Sequence, residues 1–306
     1  MTVCVTGGAG FIGSHVADAF LQAGHRVVII DDMSGGKEEN IPGAAEFHRV
    51  DIRSAEAAAV IEASRPDILV HHAAQMDVRR SVADPVFDAD VNICGTLNLL
   101  EAGRRAGTRQ VIFASTGGAI YGEQDVFPAD EEHPQRPVSP YGASKLAVER
   151  YLFFYHEAYG LNAACLRYAN VYGERQNPHG EAGVVAIFLE RLLGDLTPRI
   201  NGDGQQTRDY VHVSDVVKAN LAVAGLPGFR IYNVGTGLET SVVELYGQLV
   251  QALGVEREPE YGPGKPGEQR RSVIDPQRGQ RDLGLEKPLE LSVGFKRTAD
   301  WFRDRH

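Results

Sequence analysis

Cysteine is scarce in this chain: 3 in 306 residues, with no C-x-x-C pair. That excludes a disulfide scaffold and a zinc site built on paired cysteines. Cys4, Cys94 and Cys165 each stand alone in an apolar context, which predicts reduced, buried thiols acting as small hydrophobes. Long apolar runs are missing too. The longest candidate, 184–188, is broken by Glu190 and Arg191, far short of the roughly 20 residues a membrane helix needs. Positive charge is in deficit, with 31 Lys plus Arg against 41 Asp plus Glu for a net charge of −10, so no chain-wide basic face is available to nucleic acid. The N-terminus enters an apolar strand pattern at once, with no basic segment or cleavage site, and the expectation is a cytoplasmic protein.

What is present is an ordinary apolar fraction, 43%, and 34 glycines, enough to build a real core and to exclude disorder. Short β-branched runs at 3–6, 26–30, 46–50, 68–71, 110–114 and 163–167 alternate with helical spacing, as in Ile12, Val16, Ala19, Phe20 and Ala23. Strands apolar on both faces need helices over both, which predicts an α/β fold with a Rossmann-like doubly wound parallel sheet. After about residue 172 the elements shorten and glycine or proline turns multiply, as in Asn201-Gly202-Asp203-Gly204, so a smaller C-terminal α/β substrate-binding lobe is expected. The expected division is 1–170 and 171–306, with about 208–235 returning to the first domain. Helices are expected at 216–224, 242–253 and 292–303, and a strand at 231–234.

TGGAGFIGSH, residues 6–15, follows the first strand and opens the first helix, with Gly7, Gly10 and Gly13 in G-x-x-G-x-x-G spacing and Phe11 and Ile12 at the helix start. Glycines there let backbone N–H groups and the helix N-terminus approach a pyrophosphate. Asp31 ends the second strand, where a carboxylate accepts from ribose hydroxyls. Asp31 and Asp32 together repel a 2′-phosphate, so the expected cofactor is NAD rather than NADP. A second signal is Tyr141 and Lys145 at i, i+4, on one face of one helical turn. A phenol is a poor base at neutral pH, and a fixed ammonium beside it favours the phenolate. His71 and His72 end a strand without a second ligand pair at zinc spacing, so no metal is expected.

These motifs run in order with Asp51-Ile52, HHAAQ at 71–75, Asn92, STGGAIYG at 115–122, YGASK at 141–145, LRYANVYG at 166–173 and RDYVHVSDV from Arg208. Together they resemble the extended short-chain dehydrogenase/reductase superfamily, and within it the UDP-galactose (UDP-glucose) 4-epimerase group. The resemblance implies an NAD-dependent isomerase that oxidises C4 of a UDP-hexose to a 4-keto sugar and reduces it from the other face. It places Asp51 and Ile52 by the adenine, Ala73, Ala74 and Gln75 along the cofactor, Asn92 near the nicotinamide and Tyr168 beside it. Tyr141 would be the base, supported by Lys145. Asn170, Arg208 and 265–272 would hold the substrate, with Val184 and Phe188 flanking its base.

Two departures stand out. Many members carry Ser or Thr where this chain has Gly117, so the hydroxyl for the sugar 4-oxygen is expected from Thr116 first and Ser115 second. Lys265 stands where epimerases usually carry arginine, leaving the diphosphate to Arg208 with Arg270 or Arg271 nearby. Ser272, where some members have tyrosine, leaves room for an N-acetyl group. Gly117-Gly118-Ala119 lacks the Asp-Glu pair of a 4,6-dehydratase and the Glu of a UDP-glucuronate decarboxylase. A UDP-glucuronate 4-epimerase stays open as an alternative, while retention of Tyr141 and Lys145 disfavours a non-catalytic NAD-binding scaffold. The resemblance also implies a homodimer, built on the helices around 91–103 and 141–159.

Overall fold

The computed structural model describes residues 1–178, 183–264 and 269–306. Strands β1 (Thr2–Thr6), β2 (Arg26–Asp31), β3 (Glu46–Arg49), β4 (Ile68–His71), β5 (Gln110–Thr116) and β6 (Asn162–Tyr168) come first. The short strands β7 (Asn170–Tyr172), β8 (Arg199–Asn201), β9 (Thr207–Arg208) and β10 (Tyr210–His212) follow. After them come β11 (Phe229–Val234), β12 (Thr240–Ser241), β13 (Glu260–Gly262) and β14 (Arg271–Ser272). One parallel sheet of seven strands has the order β11-β6-β5-β4-β1-β2-β3.

The first half carries helices α1 (Phe11–Gln22), α2 (Ala55–Ser64), α3 (Val78–Ala83), α4 (Pro85–Ala89), α5 (Thr96–Ala106), α6 (Gly117–Ile120) and α7 (Pro140–Tyr159). The second half carries α8 (Val184–Leu193), α9 (Val213–Val223), α10 (Val242–Leu253), α11 (Gln277–Leu283) and α12 (Leu291–Arg303).

Alternation along the strands explains why the sheet is covered on both sides. Val3, Val5, Ile29 and Val70 enter one core, while Cys4, Ile30, Leu69 and Phe113 enter the other. A third core, around Leu189, Leu245, Leu249 and Phe295, joins α8, α10 and α12. β1 lies between β2 and β4: the chain runs outward from β1 to β2 and β3, then crosses back to place β4 on the other side of β1. That reversal opens a crevice at the strands' carboxyl ends.

Local signals set the helix carrying Tyr141 and Lys145. Ser139 Oγ accepts from Gly142 N at 3.1 Å, Pro140 occupies the first turn, and Gly160 ends α7 in the left-handed region at φ 69°. One feature differs from the sequence reading. Cys94 is exposed, because a π-helical segment, Asp90–Gly95, lies between α4 and α5 and buries Asn92 and Gly95 instead. The sheet's outer strand beside β6 is β11, from late in the chain, and α9 packs against α1.

Candidate active site

Between β1 and α1 the backbone turns sharply, with Gly7 at φ +69°. A Cβ on Gly7 would stand 2.7 Å from Ala73 N, and one on Gly13 would stand 2.1 Å from the Gly7 carbonyl, so both turns close only with glycine. Gly10 caps α1 without any side-chain hydrogen bond, leaving first-turn N–H groups as donors for an anion. A cavity of about 510 Å³ opens here, lined by Gly7, Gly10, Phe11, Ile12 and Gly13.

Asp31 and Asp32 line the same cavity from the end of β2, Asp51 and Ile52 from beyond β3, and Ala73, Ala74 and Gln75 from beyond β4. Asp31 is oriented by Ala9 N (3.0 Å) and Met33 N (2.9 Å); burial pushes its carboxyl upward while these donors hold it down. Asp51 is gripped by Arg53, which also reaches Asp90 at 2.8 Å and holds the Asp51 carboxyl low.

His72, absent from the sequence-derived set, also lines the cavity. Asn220 Nδ2 donates to Tyr168 Oη at 2.9 Å, so the phenol proton goes to His72 Nε2, 3.2 Å away. This network assigns the remaining proton to Nδ1, a buried donor without a partner among the described residues. Burial and the Lys145 charge hold His72 neutral, down to about 3. An uncapped helix start, a glycine cradle and an orphaned N–H in one crevice fit a dinucleotide diphosphate.

Tyr141 and Lys145 line the cavity's far end with Ser115 and Tyr168. Lys145 is 4% exposed; its Nζ donates to the Ala114 carbonyl at 2.8 Å and lies 5.8 Å from the Tyr141 ring centre. Burial lowers its pKa to about 8, with Asp88 opposing. Ser115 and Thr116 are consecutive on β5 and so face opposite ways. Ser115 Oγ donates to buried Glu149 at 2.6 Å, which commits it to the protein. Thr116 caps α6 without using its hydroxyl, on the side where Asn170 lies: a Cβ on Gly118 would fall 4.0 Å from Thr116 Oγ1 and 3.7 Å from Asn170 Oδ1. A Cβ on Gly117 would meet Ile274 at 2.8 Å and the Tyr168 carbonyl at 3.3 Å, which explains glycine where a hydroxyl residue was expected.

Asn92 does not line the cavity. It is 3% exposed and clamps Gln75, accepting from its N–H and donating to its carbonyl, both at 2.8 Å. Phe188 is likewise a core residue, packed edge-on against Tyr246 with ring centres 5.4 Å apart, and Val184 packs beside that core.

Asn170, Arg208 and Ser272 are brought together. Ser272 stands opposite Arg208 in the β14–β9 pairing, and Asp209 between the short sheets donates its N–H to Ser272 O while its carbonyl accepts from Asn170 N, both at 2.9 Å. Arg271 points elsewhere, paired with Glu239 at 2.7 Å and stacked on Phe127 at 3.8 Å, while Arg270 pairs with Asp203 at 2.9 Å. Lys265 lies outside the described residues. Asp209 was missed as a site-forming residue: its buried carboxylate gathers Thr236 N (2.8 Å) and Gly237 N (3.1 Å), and burial pushes it up to about 6. The RDY motif was its only signal.

A doubly wound sheet that cradles a diphosphate at its first turn and sets a Tyr-x-x-x-Lys pair at its crevice defines an enzyme of nicotinamide-linked alcohol chemistry. The chain belongs to the NAD dependent epimerase/dehydratase family, whose model matches residues 3–235. It is 46% identical to a UDP-glucose 4-epimerase of Mycolicibacterium smegmatis, over 100% of this chain and 99% of that protein. Among solved structures, it is similar to the UDP-glucose 4-epimerase of Thermotoga maritima with UDP-glucose (TM-score 0.97, 45% identity, 100% of this chain and 99% of that one). It is also similar to the UDP-glucose 4-epimerase of Thermus thermophilus in complex with NAD (TM-score 0.93, 46% identity, 99% of each chain).

Proposed function

We propose that this protein interconverts UDP-glucose and UDP-galactose by epimerisation at C4. The observation that carries the reading is the Tyr141 ring beside buried Lys145 in the cavity, with only Gly117-Gly118-Ala119 where elimination would need an acid and a base. The near-full-length likeness to UDP-glucose 4-epimerases supports it. Bound NAD supplies the hydride acceptor and donor for C4. Tyr141 takes the proton from the 4-hydroxyl and returns it, and Lys145 offsets the phenolate charge. Thr116 donates to the 4-oxygen. Gly7, Gly10 and the α1 N-terminus hold the cofactor diphosphate, while Asp31 holds a ribose. Arg208 and Asn170 anchor the nucleotide end, with Ser272 leaving space near the sugar. The protein is cytoplasmic and works as a homodimer through α5 and α7.

Incubation with UDP-glucose, UDP-N-acetylglucosamine and UDP-glucuronate without added NAD, followed by proton NMR, tests the reading. UDP-galactose should form from UDP-glucose; no epimer from any of the three sugars would sink the claim, and accumulating NADH would indicate a net oxidoreductase. Tyr141→Phe should lower kcat by about 10²–10⁴-fold with NAD retained.

A further inference from the structure

Asp88 is 1% exposed, on the short helix α4 that packs against α7, and no step above uses it. Its Oδ1 accepts from Gln75 Nε2 and Asn92 Nδ2, both at 3.1 Å, and its Oδ2 lies 2.8 Å from Ser144 Oγ. Ser144 sits between Tyr141 and Lys145 and reaches the Tyr141 carbonyl at 3.0 Å. One carboxylate thus ties the cofactor-side loop at Gln75 to the helical turn carrying the base and its lysine. We propose that Asp88 is a positioning residue of the Tyr141–Lys145 pair, its carboxylate fixing the Ser144 turn between them and setting the charge around the lysine. This rests on the catalytic reading of Tyr141 and Lys145 given above.

The surrounding charges leave that task to Asp88. Among the described residues it is the one group whose charge favours the Lys145 ammonium against burial. His71 and His72, at the end of β4, are neutral, both held down to about 3. Glu149, one turn further along α7, is closed in a buried 2.6 Å pair with Arg167 of β6. Burial pushes Tyr168 and Cys165 of β6 and Tyr232 of β11 upward, keeping them neutral. Asp90 of the π segment is tied to Arg53. On α3, Arg80 lies over the Phe87 ring and Arg79 pairs with Asp77. Neither β5 nor α6 carries an ionisable side chain.

Asp88→Asn separates charge from geometry. The amide oxygen keeps accepting from Gln75 and Asn92, the amide nitrogen donates to Ser144 Oγ, and Ser144 keeps its proton for the Tyr141 carbonyl. An ammonium exists below its pKa, so losing the carboxylate lowers that pKa and brings the alkaline fall of kcat to lower pH. The experiment measures kcat and KM for UDP-glucose from about pH 6 to 10, with bound NAD determined in each preparation. In Asp88→Asn the alkaline limb is expected to move down by about half a unit to one unit, so that kcat on that limb drops roughly 3- to 10-fold. KM and NAD content should stay within about twofold, and Asp88→Glu should restore the limb. Asp88→Ser, also neutral, is read the same way if the Asn variant does not fold. A wild-type limb in a neutral variant overturns the proposal, as does a rise in KM with the limb unmoved, the mark of a purely structural residue. Activity retained in Tyr141→Phe would overturn the catalytic reading itself, whereas an inactive Tyr141→Phe beside a wild-type Asp88→Asn profile overturns only this inference.

Discussion

Two adjacent hydroxyls at the end of β5 face opposite ways, as a strand's two-residue period requires. Ser115 is spent on Glu149, so Ser115→Ala should cost about 1–3 kcal/mol of stability by leaving that buried acceptor short of a donor, with kcat little changed. Thr116→Val keeps the shape and removes the hydroxyl; kcat should fall about 10²-fold at an unchanged melting temperature. Thermal melts beside steady-state kinetics separate the two, and the opposite pattern would give Ser115 the catalytic hydroxyl. At this scale the Tyr141–Lys145 pair was legible because helical spacing is local. The fates of Asn92 and Arg271 were not, because their partners Gln75 and Glu239 are remote in sequence and only the fold brings them into reach.

Among the elements, α7 and β6 are joined by a polar core inside an apolar one. Arg167, fully buried, meets Glu149 at 2.6 Å and Tyr121 Oη at 3.0 Å, and Tyr121 passes its proton to Asn233 at 2.7 Å. Removing one partner strands a buried charge, so Arg167→Met should lower stability by about 3–5 kcal/mol in denaturant unfolding. Pairing it with Glu149→Leu should recover much of that loss; no recovery would mean the network matters through Tyr121 and Asn233 rather than through the ion pair. The sequence marked the seven strands of the large sheet to within one or two residues, because apolar alternation with helical spacers is a strong signal, while the two- and three-residue strands β7–β10 and β12–β14 are too short to show one. It missed the π-helical segment, since one extra residue per turn changes no residue type, and so it also missed the outward turn of Cys94.

For the whole molecule, α7 presents more aromatic surface than its own core uses. Leu152 and Tyr155 are buried, but Phe153 and Phe154 are 47% and 50% exposed, with Tyr151 and Tyr159 nearby. A monomer rarely leaves such a patch bare. For the proposed dimer, Phe154→Glu should shift sedimentation from dimer to monomer at micromolar concentration; a monomer boundary in the wild type would overturn the dimer, and an unshifted dimer boundary would place the interface elsewhere. The order of strands has a further consequence, for synthesis. β6 is complete at Tyr168, yet its partner β11 begins only at Phe229. A growing chain therefore carries the open edge of an otherwise finished parallel sheet until Val234 has left the ribosome. Such non-local pairing is slow to form, so the nascent protein passes through an adhesive stage in which chaperone protection matters most.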